Sequence, residues 1–376
     1  MIGQRHSTFF LVIFLIVVVR GYAQNIAMHK YDFVPDLEDS VVIQRLQDIQ
    51  GEICLDFNSH VKSQIHFYSV KKRDYMRKML ARKTKYFPIF EEYLAAHDMP
   101  DQIKYLSVVE SALNPVVKSH AGAVGLWQFM PATGKAMGLK QDYYLDERRH
   151  IEKSTEAACK YLSSLYETYH DWQLALAAYN CGPGNINKAK RRSGKDTFWG
   201  IYNYLPRETR AYVPIFTAIV YTMSYADELN LFPDTSYHRP RIAQIEVNNY
   251  FNFEQFAKST NTCLDQLMSL NTVVKYNVIP DYVPSYTVNL PEDKLALLSE
   301  TPAILVEAKT IRREKDKKVI SKTPSVIYHK IRSGESLSTI ARKYHVYTSD
   351  LKRWNGIRGT TIYAGKKLKI YKKPNS

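Results

Sequence analysis

A single acidic side chain, Glu110, lies where a carboxylic acid can exchange protons during a reaction. Apolar residues recur on one face of the segment 100–112, which predicts a helix, and Asn114-Pro115 ends it because the residue before a proline disfavours helical geometry. Glu110 therefore falls in the last turn beside buried neighbours, where loss of water raises the pKa of a carboxyl group. The pattern allows a carboxylic acid that keeps its proton to higher pH; taken alone, it also allows a solvated residue at a helix end.

The segment that follows Glu110 is spaced by glycines and carries a polar side chain. Gly122 and Gly125 free the backbone for a close approach to a ligand, and Gln128 comes directly after them. Pro131 then starts a new helix. The sequence predicts a loop that carries Gln128 and approaches a neighbouring group closely; a simple turn is the alternative.

Tyr179 and Asn180 stand at the end of another predicted helix, before Cys181-Gly182-Pro183-Gly184. A polar pair at a helix end can point into a cleft, although a tyrosine that closes the core over a turn would look the same. Tyr212 lies near the start of a long, mostly apolar helix. Its hydroxyl group can donate a hydrogen bond.

Four separated motifs resemble the catalytic signature of lytic murein transglycosylases of the D type, which have a goose-lysozyme-like fold and C-terminal LysM modules. The motifs are Glu110-Ser111 with Asn114-Pro115, Gly122-Ala123-Val124-Gly125-Leu126-Trp127-Gln128, Ala177-Ala178-Tyr179-Asn180-Cys181-Gly182, and Pro206-Arg207-Glu208-Thr209-Arg210-Ala211-Tyr212-Val213-Pro214. The resemblance runs from about Tyr75 to the end of the chain. It implies a mainly α fold, with a lysozyme-like helical catalytic domain followed by small α+β modules of βααβ order.

The resemblance also implies a reaction. Glu110 would protonate the glycosidic oxygen and then act as a base, which leaves a 1,6-anhydromuramyl end and consumes no water. Most glycosidases use two carboxylates, but only Glu110 receives such a role here, and Asp146 to Arg149 are interpreted as a charged surface turn. The residues expected to bind substrate are Ser119, Gln128, Met130, Tyr179, Asn180 and Tyr212. Peptidoglycan glycan is the expected partner, and no metal or cofactor is expected.

Two other functions fit the same motifs. A hydrolase of the lysozyme type would share the fold, hold a water molecule and leave a reducing sugar end. A non-catalytic wall protein would keep the fold and bind peptidoglycan without cleaving it. The complete set of motif residues argues against the second alternative.

The positive charge of the chain is concentrated near its C-terminus. Residues 309–373 hold 19 Lys or Arg and 4 Asp or Glu, which accounts for the whole net charge of +15. A basic exported module suits an acidic wall polymer or acidic lipid headgroups, so at most peripheral membrane association is expected. Nucleic acid is excluded as a partner by the export signal and by the lack of a nucleic-acid-binding motif. The oligomeric state is left open.

The first residues read as a signal peptide, 1–23. Arg5 and His6 precede an apolar run over 9–19, which is too short to span a bilayer, and Ala23 offers a small residue for cleavage. A second apolar run, 211–226, is predicted to be a buried core helix. We therefore expect an exported protein of the periplasm or cell envelope.

The chain has four cysteines, which could form disulfides in an exported protein: Cys54, Cys159, Cys181 and Cys263. They permit two disulfides in three connectivities and have no metal-ligand spacing. Cys159 and Cys181 lie in one predicted domain and could pair; each also works as a small buried residue.

An internal repeat with an offset of 84 residues organises the C-terminal part: Phe253, Phe256, Ala257, Leu267 and Asn271 align with Leu337, Ile340, Ala341, Leu351 and Asn355. The downstream copy resembles a LysM module, whereas the upstream copy lacks its Ser-Gly-Glu-Ser segment and is predicted to be degenerate. The predicted parts are a signal peptide (1–23), an N-terminal helical scaffold (24–96), the catalytic domain (97–235), the degenerate LysM-like unit (242–290), a mobile linker (291–325) and the LysM module (326–372). Within the scaffold, Pro88 is expected to kink or split a helix.

Overall fold

The computed structural model describes residues 33–36, 38–234, 241–248, 250–313, 325–344, 346–357 and 359–372. The predicted signal peptide, 1–23, lies outside these ranges. The described chain is helical up to residue 234 and then forms small α+β units, in agreement with the predicted fold class. No helix in the described ranges is long and apolar enough to cross a membrane.

Residues 33–234 form ten α-helices around one hydrophobic core. They are α1 (Asp39–Asp48), α2 (Ser59–His66), α3 (Arg73–Ala96), α4 (Leu106–Ser111), α5 (Pro131–Ala136), α6 (Ile151–Tyr169), α7 (Trp172–Cys181), α8 (Pro183–Ser193), α9 (Phe198–Ile201) and α10 (Arg207–Ser224). The core runs from Val42 to Leu231, so α1 to α3 share it with the helices that follow.

Helix α7 lies at the centre of this part because it is apolar on nearly every side. Residues 172–178 are all buried, and both α6 and α10 pack against the helix. The side chain of Asp171 caps its start, as predicted, by accepting a hydrogen bond from the Leu174 N–H at 3.0 Å. Packing on both sides fixes the end of α7, where Tyr179 and Asn180 lie.

Pro88 was expected to kink or split a helix, and the split is wrong, since α3 runs through this residue from Arg73 to Ala96. Proline cannot donate to the carbonyl of residue 84. Thr84 and Pro88 are both exposed, so water can satisfy that carbonyl while Phe90 and the rest of the opposite face stay buried.

Two βααβ units follow. The elements are β1 (Ile242–Val247), β2 (Phe251–Asn252), α11 (Phe253–Ser259), α12 (Leu264–Leu270), β3 (Val278–Ile279), β4 (Tyr286–Pro291), α13 (Asp293–Glu300), α14 (Ala303–Thr310), β5 (Ser325–Lys330), α15 (Leu337–Lys343), α16 (Thr348–Asn355) and β6 (Lys367–Lys372). In each unit the first and last strands, β1 with β4 and β5 with β6, pair antiparallel. The upstream unit alone has the added pair β2 and β3 among the described residues.

The same asparagine ties the second helix to the last strand in both units. Asn271 donates to the Leu267 carbonyl at 2.8 Å and exchanges two hydrogen bonds with the backbone of Asn289 at 2.7 and 2.9 Å. Asn355 forms the equivalent three bonds at 2.9, 2.8 and 2.7 Å. The repeated asparagines therefore stabilise the same architecture in both units. The predicted division of the whole chain into six parts stays a prediction.

The prediction of a linker over 291–325 is wrong for the segment that forms α13 and α14. Leu298, Ile304 and Ala308 are buried in the core of the upstream unit. These helices form because their apolar side chains find that core to pack against. Residues 314–324 lie outside the described ranges.

All four cysteines are free thiols. The possible disulfide between Cys159 and Cys181 is therefore not formed. Cys159 is a buried core residue, and its burial raises the pKa of the thiol to about 12.

Candidate functional site

Glu110 lies in the last turn of α4, at the point where the helix stops. The segment begins as a 3₁₀ turn, Asp101–Tyr105, instead of the single helix expected from residue 100. Ala112 and Leu113 then adopt left-handed backbone conformations, with φ of 53° and 55°. The guanidinium group of Arg82 donates to the carbonyl of Ala112 at 2.8 Å and stabilises this stop. The chain turns away, and the Glu110 side chain is left at the helix end.

The carboxyl group of Glu110 is desolvated and receives a hydroxyl donor. The hydroxyl of Tyr212, on α10, donates a short hydrogen bond to Oε1. Burial raises the pKa of Glu110 to about 7, the hydrogen bond from Tyr212 opposes this shift, and the nearby charge of Glu208 adds to it. Both protonation states are therefore populated near neutral pH, so one group can give a proton and take one back.

Tyr179 is the second tyrosine of this cluster. Its hydroxyl donates to the carbonyl of Trp127 at 2.6 Å. Burial and the charge of Glu110 raise the pKa values of both Tyr179 and Tyr212, so both phenols stay protonated. Three side chains from α4, α7 and α10 thus interact, and all three were predicted site residues.

The loop over residues 117–130 folds back on itself beside these helices. Ser119 and Ala123 exchange two hydrogen bonds, one between backbone groups at 2.9 Å and one from the Ala123 N–H to the Ser119 hydroxyl at 3.0 Å. Gly125 has a φ of 92°, and a Cβ atom there would lie 1.9 Å from the carbonyl oxygen of Arg148. The close approach expected at this glycine is real, but its neighbour is the protein's own backbone.

Gln128 and Met130 lie in this loop with part of each side chain accessible. Gln128 Nε2 donates to the Gly125 carbonyl at 2.8 Å, and within the described residues no donor contacts its Oε1. Met130 is 42% exposed and offers apolar surface to a sugar ring. The amide oxygen and the thioether side chain are therefore available to a ligand.

Asn180 joins the end of α7 to the start of α10, because its Oδ1 accepts from the hydroxyl of Thr209 at 2.8 Å. This bond holds the helix ends that carry Tyr179 and Tyr212. Within the described residues, four predicted site residues make no hydrogen bond to Glu110, namely Ser119, Gln128, Met130 and Asn180.

A buried ion pair that the sequence analysis missed supports the loop. Asp146 and Arg148 were interpreted as part of a surface turn, and this is wrong, because their side chains are only 5% and 7% exposed and pair at 2.7 Å. Arg148 Nη1 also donates to the carbonyls of Gly122 and Phe129, at 3.1 and 3.0 Å. The guanidinium therefore holds the two ends of the segment that carries Gln128. No local signal separates such a pair from a solvated run of charges.

Glu208 is a second acidic residue of the site to which the sequence analysis gave no role. It is exposed in the first turn of α10, one helical turn before Tyr212, and its charge raises the pKa of Glu110. No hydrogen bond joins the two carboxyl groups in the described part of the chain. Among the same residues, no three His, Cys, Asp or Glu side chains form a group that could hold a metal ion.

Comparison with known proteins identifies two families within the chain. The Transglycosylase SLT domain family matches residues 87–201, and the LysM domain family matches residues 329–370. Membrane-bound lytic murein transglycosylase D of Escherichia coli strain K12 is 30% identical over 320 residues, which cover 83% of this chain and 69% of that protein. Membrane-bound lytic murein transglycosylase F of Vibrio vulnificus strain YJ016 is 27% identical over 176 residues, 45% of this chain and 31% of that protein.

Among solved structures, the 70-kDa soluble lytic transglycosylase of Escherichia coli matches with 19% identity and a TM-score of 0.34, covering 55% of this chain and 40% of its own. The SLT family match includes Glu110 and Gln128, and the LysM match covers the downstream βααβ unit. The alignment with the transglycosylase of Escherichia coli strain K12 spans most of both proteins. It confirms the resemblance that the four motifs indicated, and the chain belongs to the lytic murein transglycosylase D family.

Proposed function

We propose that this chain is an exported lytic transglycosylase that cleaves the β-1,4 bond between N-acetylmuramic acid and N-acetylglucosamine in peptidoglycan. The observation that carries the proposal is the desolvated carboxyl group of Glu110, which has a pKa of about 7 and accepts the hydroxyl of Tyr212. A general acid works best when its pKa lies near the working pH. Family membership supplies peptidoglycan as the substrate.

Glu110 acts twice in one turnover. Protonated Glu110 gives its proton to the glycosidic oxygen, and the bond from this oxygen to C1 of muramic acid breaks. The acetamido oxygen of the same sugar stabilises the positive charge at C1. Ionised Glu110 then takes the proton of that sugar's 6-hydroxyl, whose oxygen closes on C1. The products are a free 4-hydroxyl and a 1,6-anhydro ring, Glu110 regains its proton, and no water is consumed.

The surrounding residues keep Glu110 poised and hold the sugar. Tyr212 stabilises the ionised form of Glu110 between the two proton transfers, because its hydroxyl is a donor. The uncommitted amide oxygen of Gln128 accepts from a sugar hydroxyl or amide, and Met130 packs against a sugar face. Ser119 and Asn180 remain predicted substrate contacts. The side-chain oxygen of each already accepts a hydrogen bond within the protein, so a sugar hydroxyl would have to share that oxygen.

The C-terminal module holds the enzyme on its substrate. It matches the LysM family and lies in the basic part of the chain. Attraction between this positive charge and an acidic wall polymer would add to specific glycan binding. We expect export by the predicted signal peptide and retention by this module, which gives an activity in the periplasm or cell envelope.

Hydrolysis of the same bond is the second candidate, and the position of Glu208 favours it. The carboxylate of Glu208, one turn from Tyr212, could hold and activate a water molecule that attacks C1. The catalytic base has this role in inverting glycosidases, which use two carboxylates. The product would then carry a reducing sugar end.

Mass spectrometry of the products from purified sacculi distinguishes these functions. We expect anhydro ends; products heavier by one water would show hydrolysis instead, and an absence of products would leave a wall-binding protein. Glu208→Gln sharpens the test. In this variant a transglycosylase should still form its anhydro product. The fall of its activity with rising pH should begin at a lower pH than in the parent, because one charge that raises the pKa of Glu110 is gone. A hydrolase should lose its base.

A further inference from the structure

A groove of about 750 Å³ lies between the helical part and the upstream βααβ unit. One wall comes from residues 140–153, and the other comes from residues 270–273, from β4 and from the loop before β4. Its volume is typical of ligand sites, which occur preferentially where two units meet.

The walls of this groove are held together by direct hydrogen bonds. The Asp146 N–H donates to the Val273 carbonyl at 2.9 Å, and the hydroxyl of Thr272 donates to the Arg149 carbonyl at 2.8 Å. These two bonds, one between backbone groups and one from a side-chain hydroxyl, join the two walls directly.

Most charged groups that line the groove already have partners. Glu147 pairs with Lys153 at 2.7 Å, and His150 contacts Glu152 at 3.0 Å. Asp142 accepts two backbone N–H groups at 2.8 Å each. These groups satisfy one another and leave little for a ligand.

Two side-chain donors in the groove have no hydrogen-bonded or ion-paired partner among the described residues, although the charge of Lys140 also acts on the carboxyl group of Glu147. Within the described residues, the ammonium group of Lys140 forms no ion pair and the hydroxyl of Tyr286 forms no hydrogen bond. Burial and the charge of Glu147 raise the pKa of Tyr286 to about 12, so its hydroxyl stays protonated and can donate. An ammonium group and a phenol hydroxyl in one groove are suited to binding a carboxylate.

The groove lies close to the loop that carries Gln128. Glu147 and His150 line it, and Arg148 between them donates to the carbonyls of Gly122 and Phe129. The Arg148 side chain therefore links this wall of the groove to the loop that carries Gln128.

We propose that this groove binds a carboxylate of the peptide stems attached to muramic acid, with Lys140 and Tyr286 as the donors. The inference rests on the proposed function, because it takes the substrate to be peptidoglycan. It makes the upstream unit part of the substrate site, and it predicts that the enzyme prefers strands that carry peptides.

The test compares two substrates and three proteins. Rates of anhydro-end formation are measured on peptide-bearing strands and on strands stripped of peptides by an amidase. The proteins are the parent, Lys140→Ala/Tyr286→Phe, and the matched control Lys78→Ala, whose lysine is exposed on α3 and does not line the groove. We expect the double variant to lose about tenfold in kcat/KM on peptide-bearing strands, as when one hydrogen bond to a charged group is lost, and to match the parent on stripped strands.

An equal loss on both substrates would overturn the proposal, because it would point to a structural role or to the lactyl carboxylate that stripping leaves on the sugar. No loss on either substrate would also overturn it. Failure of the proposed function looks different, since the parent protein itself would then form no anhydro ends on either substrate.

Discussion

Glu110 and Glu335 show how one residue type is adapted to two tasks in this chain. Glu110 is desolvated and accepts one hydroxyl, from Tyr212, and its pKa is raised to about 7. Glu335, in the turn before α15, accepts the backbone N–H of Arg332 and contacts His329, both at 2.7 Å, and these contacts lower its pKa. The first carboxyl group can therefore exchange a proton near neutral pH, whereas the second is held ionised.

The difference lies in the balance between burial and donors. Burial without enough donors favours the neutral acid, while two donors on a more accessible carboxylate favour the ion. His329 is 5% exposed, and its other ring nitrogen lies 3.0 Å from the hydroxyl of Tyr344. Glu335, His329 and Tyr344 therefore link β5 to α15 and support the LysM fold, away from the chemistry.

The largest expected effects come from replacing each glutamate by glutamine, and the two variants should lose different activities. Glu110→Gln removes the transferable proton and should lower the rate of anhydro-end formation by about 1,000-fold or more. Glu335→Gln should keep the rate on soluble glycan fragments and weaken retention on whole sacculi, because a link in the LysM module is lost. Turnover on fragments and co-sedimentation with sacculi measure the two effects.

The melting temperature of Glu110→Gln at pH 8 serves as its control. The parent buries an ionised carboxylate at this pH, so the neutral amide should melt no lower than the parent. Cleavage at the parental rate by Glu110→Gln would remove this residue from the mechanism. If Glu335→Gln is retained on sacculi as well as the parent, the contacts among Glu335, His329 and Tyr344 are not needed for glycan binding.

The pH dependence should differ in direction between the two sites. In the proposed mechanism the acid form of Glu110 starts the reaction, so kcat/KM on soluble fragments should fall about tenfold per pH unit above about 7. The pKa of Glu335 is lowered by folding, so its contribution to stability is present above the ordinary glutamate pKa and is lost as the pH falls through the lowered value. Melting of the isolated downstream unit, followed in acid, would measure the second effect; a rate that rises above pH 7 would contradict the first.

Much of the fold followed from local signals in the sequence. The cap at Asp171 and the stop after Glu110 act within a few residues of chain, and the alignment of Asn271 with Asn355 is visible as a repeat in the sequence, so these features were predictable. The errors came where tertiary packing decided the outcome. Pro88 is tolerated because the unsatisfied carbonyl faces solvent, and α14 forms because a core is available to it.

Some residues of the candidate site were likewise predictable from the sequence, and others were not. Glu110, Tyr179 and Tyr212 were predicted because their motifs resemble the catalytic signature of the family. The pairing of Asp146 with Arg148 was missed, since its burial depends on a contact with Val273, which is distant in the sequence. A groove between units has no local signature, and only the assembled chain reveals it.

The smallest expected effect concerns the tyrosines. Tyr212→Phe removes the hydrogen bond that lowers the pKa of Glu110, so that pKa should rise further and the alkaline fall in activity should move to higher pH. The rate at neutral pH should drop about tenfold, because the ionised intermediate loses a hydroxyl donor. Tyr344→Phe should leave both the rate and the profile on soluble fragments unchanged and should weaken retention on sacculi only slightly. If Tyr212→Phe lowers the rate without moving the profile, its hydroxyl acts on the substrate rather than on Glu110, and the pair of tyrosines around Glu110 would then serve binding more than proton transfer.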